Sequence, residues 1–257
     1  MALFPARFVW YDVMTTDTKA AAAFYKAVIG WDATEMGSAD RPYTVFSAGP
    51  AMAAGLMPIP KEACAEGAKP CWTGYIGVDD VDAYAARVTS AGGKVLRAPE
   101  DIPGVGRFAL AADPHGAHFI LFKGMGEAPD QGAAPDAPGR VGWHELHAGD
   151  REEAFAFYSG LFNWTKADAV DMGPMGIYQI FAAGGAPCGG MMTRMPETPG
   201  PFWLYYFTVD SIQSAMARVI QNGGQAINGP HEVPGGSWIV QCLDPQGAMF
   251  AMVSANR

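Results

Sequence analysis

The chain has 257 residues, 49% of them hydrophobic and 17% charged, with a formal net charge of -9. That is enough apolar material for one large core or two ordinary ones. The acidic balance, with no run of Lys and Arg, argues against a surface that tracks phosphates, and no apolar run reaches the 18 residues of a membrane-spanning helix.

The opening segment MALFPARFVWYDVM lacks the basic start and long apolar stretch of a secretion signal, so a soluble cytoplasmic protein is expected. The four cysteines, Cys64, Cys71, Cys188 and Cys242, form no CxxC pair and no zinc-finger spacing, which fits reduced thiols.

In chain order, FVWYDVMT reads as a strand. Asp17 or Thr18 can cap the helix KAAAAFYKAVIG, whose Ala23, Phe24 and Ile29 recur on one face and which Gly30 ends. Strands follow at YTVFSAG and AMAAGLMP. Next come the strand WTGYIGV and the helix VDAYAARVTSAGG, closed by Gly92 and Gly93, and then the strands KVLRAP, GRFALAAD and AHFILF. The order βαβββ therefore occurs twice before the Pro-, Gly- and Ala-rich segment GMGEAPDQGAAPDAPGR, which reads as a linker over 124–140.

The pattern then repeats. FVWYDVMTTDTKAAAAFYKAVIGW resembles VGWHELHAGDREEAFAFYSGLFNW, with Trp143 lying 133 positions after Trp10. YTVFSAG resembles YQIFAAG. WTGYIGVDDVDAYAARVTSAGGKV resembles WLYYFTVDSIQSAMARVIQNGGQA, and LAADPHGAHFILF resembles QCLDPQGAMFAMV, here at an offset of 131 between Trp72 and Trp203. An α+β chain of four βαβββ modules is expected, with one domain at 1–123 and a second at 141–257.

Three marks in each copy carry a family resemblance: the strand-Asp-helix start ending in FY and a GW or NW pair, the V-D helix closed by GG, and the DPxG turn before the last strand (Asp113 to Gly116, Asp244 to Gly247). With these the chain resembles the vicinal oxygen chelate superfamily of glyoxalase I, bleomycin-resistance proteins and extradiol dioxygenases. The resemblance implies two open-barrel domains, each curling around a cavity, and in many members a divalent metal held by His and Glu of the first and last strands. The positions matching those ligands here are Trp10, Gly55, Thr73 and Ile120 in the first copy, and Trp143, Gly190, Leu204 and Ala251 in the second. None is His, Glu, Asp or Cys, so no metal or other cofactor is expected at the family positions, and a metal would need a displaced site.

The segment WHELHAGDREEAFAFY holds two of the five histidines around a glutamate. Alternation along a strand puts Trp143, Glu145 and His147 on one face and His144 on the other, so the two histidines cannot share one metal. Trp10 and Asp12 are the first copy's counterparts of Trp143 and Glu145. Asp12 and Glu145 are thus candidates for polar ligand contact or general base work, with the alternative that each only ties the sheet together through hydrogen bonds. A carboxylate walled by Trp would be desolvated and its pKa raised. The same parity adds His118 as a further acid/base candidate, and Tyr75, Tyr206, Trp10, Trp143 and His147 as ligand contacts. The Met residues of MGPMGIY and MMTRM are either core packing or the wall of an adaptable apolar pocket. His115 and His231 fall in segments that read as solvated turns.

Three functions remain. The favoured one is binding of a small apolar or aromatic molecule without the usual metal. The alternative is a glyoxalase-type lyase or isomerase, or a dioxygenase, with a displaced metal or metal-free acid/base catalysis. The third is a scaffold with vestigial cavities. Within any of these, a monomer or a homodimer is expected, since fusion supplies inside one chain the pairing that dimerisation gives single-copy relatives.

Overall fold

The computed structural model describes residues 6–38, 40–65, 67–126 and 137–257. Most of the 124–140 linker, at 127–136, lies outside the described residues, as do residues 1–5 of the opening segment. The first copy runs β1 (Phe8–Thr15), α1 (Thr18–Ile29), β2 (Asp32–Glu35), β3 (Thr44–Ala48), β4 (Ala51–Pro58), a short α2 (Lys61–Ala65), β5 (Cys71–Gly77), α3 (Val81–Ser90), β6 (Lys94–Ile102), β7 (Gly106–Ala112) and β8 (His118–Gly124). The second runs β9 (Val141–Ala148), α4 (Arg151–Phe162), β10 (Thr165–Asp171), β11 (Ile177–Ala182), β12 (Pro187–Thr193), β13 (Phe202–Thr208), α5 (Ile212–Gln221), β14 (Gln225–Glu232), β15 (Trp238–Leu243) and β16 (Met249–Ser254). The exposed strand β2, its counterpart β10 and the short helix α2 lie in segments to which the sequence pattern assigns no element by residue, because none of them buries an apolar face.

The helix ends follow local chemistry. Asp17, Asp80, Asp150 and Ser211 each cap a helix by accepting a backbone N–H three residues on, at 2.9, 3.0, 2.9 and 3.3 Å. Gly30 closes α1 in the left-handed conformation at φ 87°, and Asn163 does the same for α4 at φ 58°.

The strands form two mixed sheets of eight, ordered β2-β3-β4-β1-β5-β8-β7-β6 and β10-β11-β12-β9-β13-β16-β15-β14. Each sheet ends in two edge strands, so neither closes on itself. The first and fourth strands of a module pair in parallel and the outer strands antiparallel, for example Asp12 opposite Gly55, Gly190 opposite Glu145, and Thr44 opposite Leu56. This is the expected α+β architecture of four βαβββ modules.

The chain also divides into two compact units, and each is assembled from halves of different copies. One holds most of β1 with α1 and β2–β4, and most of β13 with α5 and β14–β16. The other holds β6–β8, α3 and most of β5, and most of β9 with α4 and β10–β12. The repeated motifs explain the cohesion of each. In the first unit, Trp72 Nε1 donates to the Tyr25 hydroxyl at 2.8 Å, and that hydroxyl donates to Asp244 of the second DPxG turn at 3.0 Å. Asp244 Oδ1 in turn accepts the backbone N–H groups of Gln246 and Ala248. In the other unit, Trp203 donates to Tyr158 at 2.9 Å and Tyr158 to Asp113 at 3.4 Å, while Asp113 Oδ1 takes the N–H groups of His115, Gly116 and Ala117. The FY tyrosine of each copy therefore docks on the DPxG aspartate of the other. Both tyrosines are fully buried, among Trp31, Phe46 and Phe250 in one unit and Phe119, Phe162 and Trp164 in the other. Burying side chains of this size stabilises by roughly 2–3 kcal/mol each, and their polar tips find partners, as buried tyrosine and tryptophan require.

Candidate functional site

In the unit that holds β1, residues two apart share a face, so Trp10 and Asp12 stand side by side. Trp10 Nε1 donates to Asp12 Oδ1 at 2.9 Å and to the Tyr43 hydroxyl at 2.8 Å, and that hydroxyl donates to the same Asp12 oxygen at 2.8 Å. Asp12 is 3% exposed. Burial, then the charge and hydrogen bond of Asp12, push the Tyr43 phenol well above its ordinary pKa, against a lowering contribution from Trp10. Tyr43 stays protonated as a donor. The strand opposite must be bare for this: a Cβ at Gly55 would collide with the Tyr43 hydroxyl and Asp12 Oδ1.

The other unit carries the counterpart. Glu145, 7% exposed, accepts the Tyr178 hydroxyl at 3.0 Å on one oxygen and bonds His147 Nε2 at 2.9 Å on the other. The His147 ring stacks on Phe202 with centroids 4.6 Å apart and planes 4° from parallel. Gly190 leaves the room that the Tyr178 ring fills. His144 takes the opposite face: it is buried, stacks on Phe8 at 4.4 Å, and places Nδ1 2.7 Å from the Cys188 carbonyl. Burial holds its pKa down at about 4, against the opposing effect of that hydrogen bond.

The structure thus brings together Trp10 with Asp12, and Glu145 with His147. Trp143 is half-buried on β9. Tyr75 packs edge-on against Phe122 and lies in register with Ile120. Tyr206 is buried and accepts from Gln241 at 3.0 Å. His118 is exposed at the start of β8; desolvation lowers its pKa, opposed by the charge of Asp113. Tyr43 and Tyr178 are the residues that parity along the first strand misses, because each reaches in from the hairpin of its module. The available signal is that they open the aligned segments YTVFSAG and YQIFAAG. Met191 and Met192 are buried, whereas Met175 is exposed. His231 is not in a turn but an exposed residue of β14, and His115 is only partly exposed and pairs with Glu153 at 3.0 Å.

The donor chemistry at the family's metal positions does not suit a divalent cation. An indole N–H is a donor only, Gly55 and Gly190 have no side chain, and Ile120, Leu204 and Ala251 offer no lone pair, which leaves Thr73 alone. Among the described residues no group of three or more His, Cys, Asp or Glu side chains is placed to hold a metal ion. No helix among them is long and apolar enough to cross a membrane.

Comparison with known proteins agrees with this fold. CFP32 of Mycobacterium tuberculosis (strain CDC 1551 / Oshkosh), whose name carries a provisional glyoxylase assignment, is 33% identical over 248 residues, spanning 95% of this chain and 93% of that protein. The anthracycline biosynthesis protein DauV of Streptomyces sp. (strain C5) is 32% identical, spanning 97% of this chain and 93% of its own length. Among solved structures, the Mn(II)-bound glyoxalase of Novosphingobium aromaticivorans has a TM-score of 0.68 at 18% identity, covering 99% of this chain and 83% of that one. The 2,3-dioxygenase LapB of Pseudomonas sp. KL28 has a TM-score of 0.70 at 13% identity, covering 100% and 94%. At those identities the two structures share the fold. Residues 7–121 and 140–252 both match one family description, and the chain belongs to the Glyoxalase/Bleomycin resistance protein/Dioxygenase superfamily.

Proposed function

We propose that the chain binds a small, flat, largely apolar or aromatic molecule carrying a hydrogen-bond donor, without a metal at the family positions. The observation that carries this reading is the paired cluster. In each copy a buried first-strand carboxylate, Asp12 or Glu145, is held by a tyrosine hydroxyl from the neighbouring hairpin and flanked by a planar ring. A carboxylate held in place among aromatic rings is a fixed acceptor in apolar surroundings, the pattern of a site where a few polar groups orient an otherwise apolar ligand. In the unit that holds Asp12, Trp10, Trp143 and Tyr206 are assigned as walls and contacts; in the unit that holds Glu145, Tyr75 and His147 are so assigned, with His118 as an accessory acid/base group. The relatives named for anthracycline biosynthesis support a planar polycyclic ligand. The two copies are proposed to act as domains 1–123 and 141–257 of a cytoplasmic monomer or homodimer.

The test is calorimetric titration of a panel of planar hydroxylated aromatics into wild type, Asp12→Asn and Glu145→Gln. Saturable binding that weakens at least tenfold in one or both variants is expected; affinity unchanged in both variants overturns the assignment. Elemental analysis of protein purified without chelator or His tag tests the other half, since near-stoichiometric iron, zinc, nickel or manganese overturns the metal-free reading. A second reading, metal-free acid/base chemistry, is favoured by one observation, the bond between Glu145 and His147.

A further inference from the structure

The two clusters are alike in position and unlike in chemistry. In the first, Asp12 is met by an indole N–H and a phenol, neither of which takes up a proton in the physiological range. In the second, an imidazole faces the carboxylate. The repeat places Met14 where His147 stands, at the same offset of 133 positions that relates Trp10 to Trp143. We infer that, of the two carboxylate clusters, the one in the second copy is the proton-accepting site, in which His147 takes the proton of an acidic hydroxyl, a phenol or enol, on the bound aromatic ligand. This rests on the ligand-binding reading above.

The geometry supplies each part. Glu145 as a carboxylate has no proton to give, so in the 2.9 Å bond Nε2 is the donor and the proton of the neutral ring sits there. Nδ1 then carries the lone pair. The carboxylate holds the ring in that tautomer and stabilises the imidazolium formed when Nδ1 accepts a proton, while Tyr178 occupies its second oxygen. Stacking on Phe202 fixes the ring plane. The side chains of His147 and Glu145 are 13% and 10% exposed, so the pair is shielded from bulk water without being sealed. The step is balanced: the ligand O–H bond breaks, an N–H bond forms at Nδ1, and the product is an imidazolium–phenolate ion pair with the charge of Glu145 beside it.

The test uses hydroxylated dyes whose absorbance moves to longer wavelength on ionisation, alizarin and 4-nitrophenol. At a pH below each dye's own pKa, wild type is expected to bind with the spectrum of the ionised form, the bound pKa lowered by a unit or more, which is at least tenfold in the ionised-to-neutral ratio. His147→Gln is expected to weaken binding, His147 being a ligand contact, and to show the neutral spectrum for the dye it still binds at saturating protein. Glu145→Gln is expected to reduce the ionised fraction. Nitrogen NMR of His147 gives an independent readout: protonated at Nε2 alone in the free protein, and at both nitrogens with dye bound. Binding without ionisation in wild type, or an ionised band that survives in folded His147→Gln, overturns the inference and leaves ligand binding standing. No binding of either dye to wild type overturns both.

Discussion

His144 and Glu145 are chain neighbours with opposite surroundings, and the difference has a pH signature. His144 lies between Phe8 and the Cys188 carbonyl, and burial keeps it neutral down to a pKa of about 4. An unfolded histidine titrates near 6.5, so between the two values the unfolded chain binds the extra proton and the folded chain does not. The stability associated with a neutral His144 is therefore complete above about pH 6.5, falls as the pH drops through that value, and has been lost by pH 4, a swing of about 3 kcal/mol. His144→Gln, which keeps a donor for Cys188 but cannot titrate, is expected to flatten this part of the curve. Chemical denaturation of both proteins from pH 7.5 to 4 checks it, and equal slopes would refute the assignment. That Glu145 and His147 share a side and His144 takes the other was legible from alternation, as was Trp10 beside Asp12. Their partners were not. Tyr43 and Tyr178 lie 31 and 33 positions from the carboxylates they hold, and only strand pairing brings such separations into contact.

At the scale of elements, the strand beside each carboxylate is as important as the strand that bears it. β4 and β12 run parallel to β1 and β9, with Gly55 opposite Asp12 and Gly190 opposite Glu145. Both tyrosines occupy the space a side chain there would take. Gly55→Ala is expected to drive the Tyr43 hydroxyl off Asp12, destabilise the protein by about 1–3 kcal/mol and weaken ligand binding. Gly160→Ala in α4, where an added Cβ meets nothing within 4 Å, is expected to stabilise by about 0.5–1 kcal/mol. Thermal melts of the pair separate crowding from a general effect of removing glycine, and a stable Gly55→Ala with unchanged binding would show that the slot does not need to be empty. The helices and most strands could be placed from the sequence because caps and periodicity are local. β2, β10 and α2 could not, since they are exposed and leave no periodic apolar signal.

At the scale of the whole chain, the sequence repeat and the packing divide the protein differently. The repeat marks two successive copies, and each sheet is drawn from one copy. The compact units cross this division, because Tyr25 of the first copy is held by Asp244 of the second and Tyr158 of the second by Asp113 of the first. Trp31 donates to the Gly139 carbonyl, and Trp164 to the Ala6 carbonyl, so the lead-in of each copy is held by the aromatic core of the other. Arg218 of α5 reaches the Val28 carbonyl at the end of α1, and Arg87 of α3 those of Gly160 and Leu161 in α4. The motifs that identify the family, FY, GW and DPxG, are thus also what joins one copy to the other; their spacing could be read, but not the partner copy, because a repeat gives every motif two candidates. It follows that covalent continuity between the copies adds little once both have folded. A protease site placed within 127–136 and cleaved in the folded protein is expected to leave two fragments that co-elute on gel filtration and melt in one transition. Tyr25→Phe and Tyr158→Phe each leave a buried aspartate oxygen without its donor, at a cost of about 1–3 kcal/mol, and are expected to lower that transition and promote separation of the cleaved halves. Fragments that part at once, or melt as two independent transitions unaffected by either substitution, would mean that each copy folds by itself and that the crossed contacts contribute little to cohesion.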